Sequence, residues 1–163
     1  MVTQVHGPRR KQGMLVPLSL SQEAGFLFGV VYVFVGMLGF AIGVGQYAFH
    51  GKEGNKVIKL FSVNSLHNIV HLVVGALLLA GVVGGYLASR VINGLVGLVY
   101  LVIGILGWFV INTSLNVIAL NNWDNVLHMA SGLALLAAAG APPPRARVET
   151  GFPESKAPAA HGH

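Results

Sequence analysis

Cysteine is absent from the 163 residues, which removes disulfides, thiolate metal ligands and cysteine nucleophiles together. Charge is scarce as well: 9% of the residues are Asp, Glu, Lys or Arg, where a water-soluble domain carries about a quarter. So small a charge complement cannot cover a water-facing surface, and lipid must be the solvent. Carboxylate chemistry is thin, because Glu23 and Glu53 have no evident partner for acid–base work. Ser62, Ser65, Thr113, Ser114 and Ser131 lack the neighbours that activate a nucleophile. The glycines of GVGQYAFHG follow no strand, so they form no phosphate loop. A net charge of +5 without basic patches interleaved with aromatics argues against nucleic acid as a partner. Nothing in these residues points to an enzyme.

What is present is apolar length. Hydrophobic residues make up 54% of the chain and mean hydropathy is +0.70. Four runs, at 25–48, 64–87, 91–111 and 122–141, approach the ~20 residues a helix needs to cross ~30 Å of hydrocarbon. The strict alternation of a membrane β-strand is missing. The expected fold is an all-α membrane protein of four transmembrane helices, occupying 23–141. Residues 1–22 are expected to be a cytoplasmic tail, partly interfacial, and 142–163 a disordered cytoplasmic tail rich in Pro and Ala. The first run starts too late and runs too long for a signal peptide. Arg9, Arg10, Lys11, Arg90, Arg145, Arg147 and Lys156 would share one side, against Lys52, Lys56 and Lys59 on the other. That asymmetry predicts both termini in the cytoplasm and attraction to anionic lipid.

An internal repeat organises the chain. GVVYVFVGMLG at 29–39 matches GLVYLVIGILG at 97–107 in six of eleven positions, with Tyr32 paired to Tyr100. NSLHNIVHLVVGALLLA at 64–80 matches NNWDNVLHMASGLALLA at 121–137 in seven of seventeen. Two helical hairpins related by a pseudo-two-fold axis along the membrane normal would follow, a parallel repeat. The longer first hairpin loop holds HGKEGNKVIKL. Gly29, Gly36, Gly39, Gly75, Gly97, Gly104, Gly107 and Gly132 recur at matched positions, where small residues let helices approach closely in lipid.

The pattern N-x-x-[H/D]-N-x-x-H-x-x-x-G occurs twice. Asn64, His67, Asn68, His71 and Gly75 share one helical face, and Asn121, Asp124, Asn125, His128 and Gly132 share its counterpart. Asn64 and Asn121 suit N-caps, and Asp124 suits a first helical turn. If the two stripes face each other near the outer surface, His67, His71, Asp124 and His128 converge. Their chemistry suits Zn²⁺, Cu²⁺ or Fe²⁺. Alternatively His71 and His128 would be axial ligands of a b-type haem, with Gly75 and Gly132 clearing room for the ring. A third reading makes the cluster, with Asn64, Asn68, Asn121 and Asn125, a hydrogen-bonded cross-link between helices. A fourth makes it part of a proton or small-substrate pathway.

The two stripe motifs resemble a bacterial four-helix membrane family, common in actinobacteria, that is defined only as a domain of unknown function. The likeness runs over about 25–140 and includes Asn64, His67, Asn68, His71, Gly75, Asp124, Asn125, His128 and Gly132. It implies a bacterial inner-membrane location and no particular activity. The expected role is a non-enzymatic structural or accessory membrane component. A metal- or haem-binding membrane protein and a small channel or transporter subunit are the alternatives. Its partners would be the bilayer and a homo-oligomer or larger membrane complex.

Overall fold

The computed structural model describes residues 17–43, 49–57 and 59–144. The two expected tails lie almost wholly outside these residues, and so does 44–48, the expected end of the first helix. Four helices, α1 (Leu20–Gly43), α2 (Ser65–Val83), α3 (Tyr86–Val110) and α4 (Asn122–Gly140), are joined by connections of unequal length. Long apolar runs rich in Leu, Val and Ala leave the backbone no better partner in lipid than itself, and a helix satisfies every interior N–H and C=O.

Polar caps set the helix starts. Ser19 Oγ accepts from the Gln22 N–H at 3.2 Å while Gln22 Oε1 accepts from the Ser19 N–H at 3.1 Å. This reciprocal capping box opens α1. Asn64 Oδ1 accepts from the His67 N–H at 2.9 Å, and Asn121 Oδ1 accepts from the Trp123 and Asp124 N–H groups. Between α2 and α3 only Gly84 and Gly85 intervene, and Gly85 turns the chain at φ +88. The third helix therefore starts five residues before the expected 91, and Arg90 lies inside its first turns rather than in a loop. Ser89, which reads as a loop residue, is buried and donates to Gly81 O at 2.9 Å.

The expected long loop of the first hairpin contains a β-hairpin that hydropathy did not signal. Strands β1 (Asn55–Val57) and β2 (Phe61–Val63) pair antiparallel, with Lys56 opposite Ser62. The turn between them includes Lys59 at φ +64. This hairpin closes over the end of the bundle where α2 and α4 begin.

Helix α1 packs along α2 and α3 along α4. A Cβ at Gly75 would lie 2.8 Å from Gly29 O, and one at Gly132 would lie 2.7 Å from Gly97 O. A Cβ at Gly36 would lie 2.8 Å from Asn68 O, and one at Gly104 would lie 2.9 Å from Asn125 O. Farther along, a side chain at Gly39 would collide with the Asn68 amide, and one at Gly107 with the Asn125 amide. Only glycine permits these approaches, because each opposing group is another helix's backbone or a buried carboxamide.

The bundle is turned inside out relative to a soluble protein. Its buried side chains include Ser21, Asn64, Asn68, Ser89, Asn93, Asp124, Asn125 and three histidines, while Phe26, Leu27, Phe34, Met37, Leu95 and Phe109 are exposed. An apolar exterior of this kind needs an apolar solvent. Leu20–Ile42, Ser65–Val83 and Tyr86–Val110 are long and apolar enough to cross a membrane. The fourth expected span falls short of that measure because Asn122, Asp124, Asn125 and His128 occupy its first two turns.

Candidate metal centre

A buried layer of rings lies about two turns inside the end capped by Asn64 and Asn121. Apolar Leu78, Leu135 and Val96 form a core with Tyr32 and Tyr100. Next to it stand His71 and His128, with His67 one turn nearer the capped end. Tyr32 stacks on His71 at a centroid distance of 5.4 Å, Tyr100 meets His128 edge-on at 5.0 Å, and the two tyrosines touch at 5.0 Å. His67 lies 4.4 Å from His71 and 5.7 Å from His128. The three histidines are 1%, 5% and 4% exposed in chain order, so water does not reach their rings freely.

His67, His71 and His128 each present a ligand atom within 4.8 Å of the other two. Their polar atoms are largely unused. Among the described residues, His67 Nε2, His71 Nδ1 and His128 Nδ1 are buried without a hydrogen-bond partner, as are the Tyr32 and Tyr100 hydroxyls. A buried donor or acceptor left unpaired costs about 1–3 kcal/mol, and five in one layer would be a heavy burden for a purely structural plug. His67 Nδ1 lies 3.2 Å from Ser62 O. A carbonyl only accepts, so Nδ1 carries the proton and Nε2 keeps its lone pair. A backbone carbonyl fixing the tautomer of a ligating histidine is the usual outer support of a metal site.

Asp124 is not a member of this group. Its Oδ2 accepts from the Ser62 N–H at 3.1 Å and from the Asn121 N–H at 2.9 Å. It therefore completes the capping box of α4 and clasps β2. His67 and Asp124 occupy the same position after their N-caps, and both hold the backbone of Ser62, one through its carbonyl and the other through its N–H. The expected fourfold set thus separates into three histidines and one anchoring carboxylate.

The asparagines divide similarly. Asn64 Nδ2 donates to Gly51 O at 3.0 Å and to Val117 O at 2.9 Å, tying two loops to the start of α2. Asn121 Nδ2 donates to Leu60 O at 2.8 Å. Asn68 and Asn125 point instead at Gly39 and Gly107, and bond to none of the histidines. The glycines do not clear room for a porphyrin here. His71 and His128 stand 6.2 Å apart, with His67 4.4 Å from the first and 5.7 Å from the second. Gly75 and Gly132 face neighbouring helix backbones rather than open room.

Sequence reading missed Tyr32 and Tyr100 as neighbours of the histidines, although their repeat match marked them as paired polar points. It also missed a second buried polar group at the opposite end, where Asn93 Nδ2 donates to Ser21 O at 2.7 Å. A lone Asn in an apolar run was the available signal.

Residues 22–141 match a protein family described as Domain of unknown function (DUF4383). No curated protein and no solved structure matches the chain.

Proposed function

The chain belongs to this family of unknown function, which carries no activity to inherit, and from its site geometry we propose that it is a membrane protein that binds one transition-metal ion through His67, His71 and His128. The observation that carries this reading is the meeting of three buried imidazoles, from two separate helices, with ring nitrogens unpaired. A tetrahedral site with metal–nitrogen bonds of about 2.0–2.1 Å places its nitrogens about 3.4 Å apart. Side-chain rotation closes the distance from 4.8 Å or less.

The same residues bear on the competing readings. A hydrogen-bonded cross-link would join the stripes to each other, whereas the hydrogen bonds found run from their outermost members to loop backbones. A through-going channel is not supported, because Leu78, Leu135 and Val96 close the axis beside the tyrosines. With no acid–base pair or activated nucleophile beside the trio among the described residues, the reading is binding, storage or transfer of the ion in an accessory role. The surrounding architecture we propose is four spanning helices in two repeated hairpins. The matched contacts Gly29–Gly75 and Gly97–Gly132 support it, as do Val126, Leu127 and Leu133, which leave α4 an exposed apolar face. Both termini would lie in the cytoplasm of a bacterium and the trio in the outer half of its inner membrane.

Elemental analysis of detergent-purified protein tests the function. The expected result is one metal ion per chain, lost in His71→Gln while the helical circular dichroism is retained. Metal-free protein that takes up no Zn(II), Co(II), Fe(II) or copper when each is added would overturn it.

A further inference from the structure

We infer that the ion selected by His67, His71 and His128 is monovalent copper, Cu(I), an inference that rests on the metal reading above. Charge separates the candidate ions. Three imidazoles that ligate as neutral rings bring no negative charge to the ion, and the chain has no cysteine to supply a thiolate. The free-energy cost of placing an ion in apolar surroundings rises with the square of its charge, so a divalent ion meets four times the penalty of a monovalent one. Around this trio the side chains are uncharged: Leu78, Leu135 and Val96 border the layer, the rings of Tyr32 and Tyr100 cover His71 and His128, and the buried Asn68, Asn125 and Ser131 are neutral.

Asp124 is the one acidic side chain buried among the described residues. It reaches the trio only through the Ser62 peptide, whose N–H it accepts and whose carbonyl takes the His67 proton. A single carboxyl group held at that remove balances at most one positive charge and leaves a second uncompensated. The donor number agrees. Cu(I) and Zn(II) are both filled-shell ions that impose no geometry of their own, but Cu(I) is satisfied by three ligands, whereas Zn(II) takes a fourth. An anionic fourth ligand for a divalent ion would have to be hydroxide from a bound water, which the near-complete burial of the three rings opposes, or an ionised Tyr32 or Tyr100, whose hydroxyls are buried in the same layer.

The test uses the full chain, purified in detergent without oxygen. Cu(I) is titrated against a colorimetric Cu(I) chelator, Zn(II) against a Zn(II) chelator, and Cu(II) is added separately in air. The expected result is one Cu(I) per chain, bound at least about a hundredfold more tightly than Zn(II). X-ray absorption should show three nitrogen neighbours and no sulfur, and Tyr32→Phe and Tyr100→Phe should leave the affinity unchanged. Zn(II) bound as tightly as Cu(I) would overturn the inference and leave the metal site standing. So would a Cu(II) complex with a tyrosinate charge-transfer band that Tyr32→Phe or Tyr100→Phe removes. Protein that binds none of these ions overturns the inference, and if it takes up neither Co(II) nor Fe(II) it overturns the metal reading as well. His128→Gln, checked for retained helicity, should lose Cu(I) binding by about a hundredfold or more.

Discussion

Gly75→Ala directly perturbs the helix contacts that bring the histidines together. The added methyl would lie 2.8 Å from Gly29 O, Val33 Cγ2 and the Val33 nitrogen. Two of those three atoms are backbone, which has no rotamer to give. Relief to an ordinary contact of about 3.5 Å requires α1 and α2 to separate by roughly 0.7 Å near the crossing point. A gap of about 0.5–1 Å already forfeits a quarter to a half of each dispersion contact it opens. The penalty therefore belongs near the top of the usual overpacking range of about 1–3 kcal/mol. Against it stands a gain of up to about 1 kcal/mol from replacing glycine in a helix, leaving a net loss of about 2 kcal/mol. Gly94→Ala is the control, because its methyl would find only Ala139 Cβ at 3.7 Å. That variant gains the helix preference without the clash. Thermal unfolding in mild detergent, followed by helical circular dichroism and by the fluorescence of Trp108 and Trp123, should place Gly75→Ala about 10 °C below Gly94→Ala. His71 lies one turn from Gly75, so metal affinity should fall with it. Equal midpoints for the two variants would refute the close-approach reasoning.

Other expectations follow from named contacts. Asn64→Ala removes the cap of α2 and the tethers to Gly51 and Val117, and thermal unfolding should register a loss of about 2 kcal/mol. Asn93→Ala, which loses the bond to Ser21 at the far end, should cost about 1 kcal/mol while leaving metal binding unchanged; a drop in metal affinity would contradict the separation of the two polar groups. Asp124→Ala strands the Ser62 and Asn121 N–H groups, so unfolding should show a loss of about 2 kcal/mol, accompanied by weaker metal binding as the support of His67 loosens. Adding the bound ion at a hundred times its dissociation constant should stabilise the native bundle by about 2.7 kcal/mol, and this increment should vanish in His71→Gln.

Asn64, His67, Asn68 and His71 show how far a linear pattern reaches. A period of 3.6 residues places them on one face whatever the helix packs against, and Asn before an apolar run is a cap because its oxygen reaches the first free N–H groups. Scarce charge and long apolar runs likewise determine that the outside of the molecule faces lipid. These properties are local or compositional, and the sequence by itself decides them. The division of the polar stripe is of a different kind. His67 and Asp124 hold equivalent positions on their helices, yet one joins the ring layer and the other anchors a strand. The difference arises because the peptide of Ser62, from a hairpin that no hydropathy pattern announces, presents its carbonyl to the first and its N–H to the second. Tyr32 and Tyr100 reach the histidines only because Gly29 and Gly97 let their helices press against Gly75 and Gly132. Which neighbour completes a buried polar group depends on distances between chain segments far apart in sequence, and only tertiary packing sets those distances.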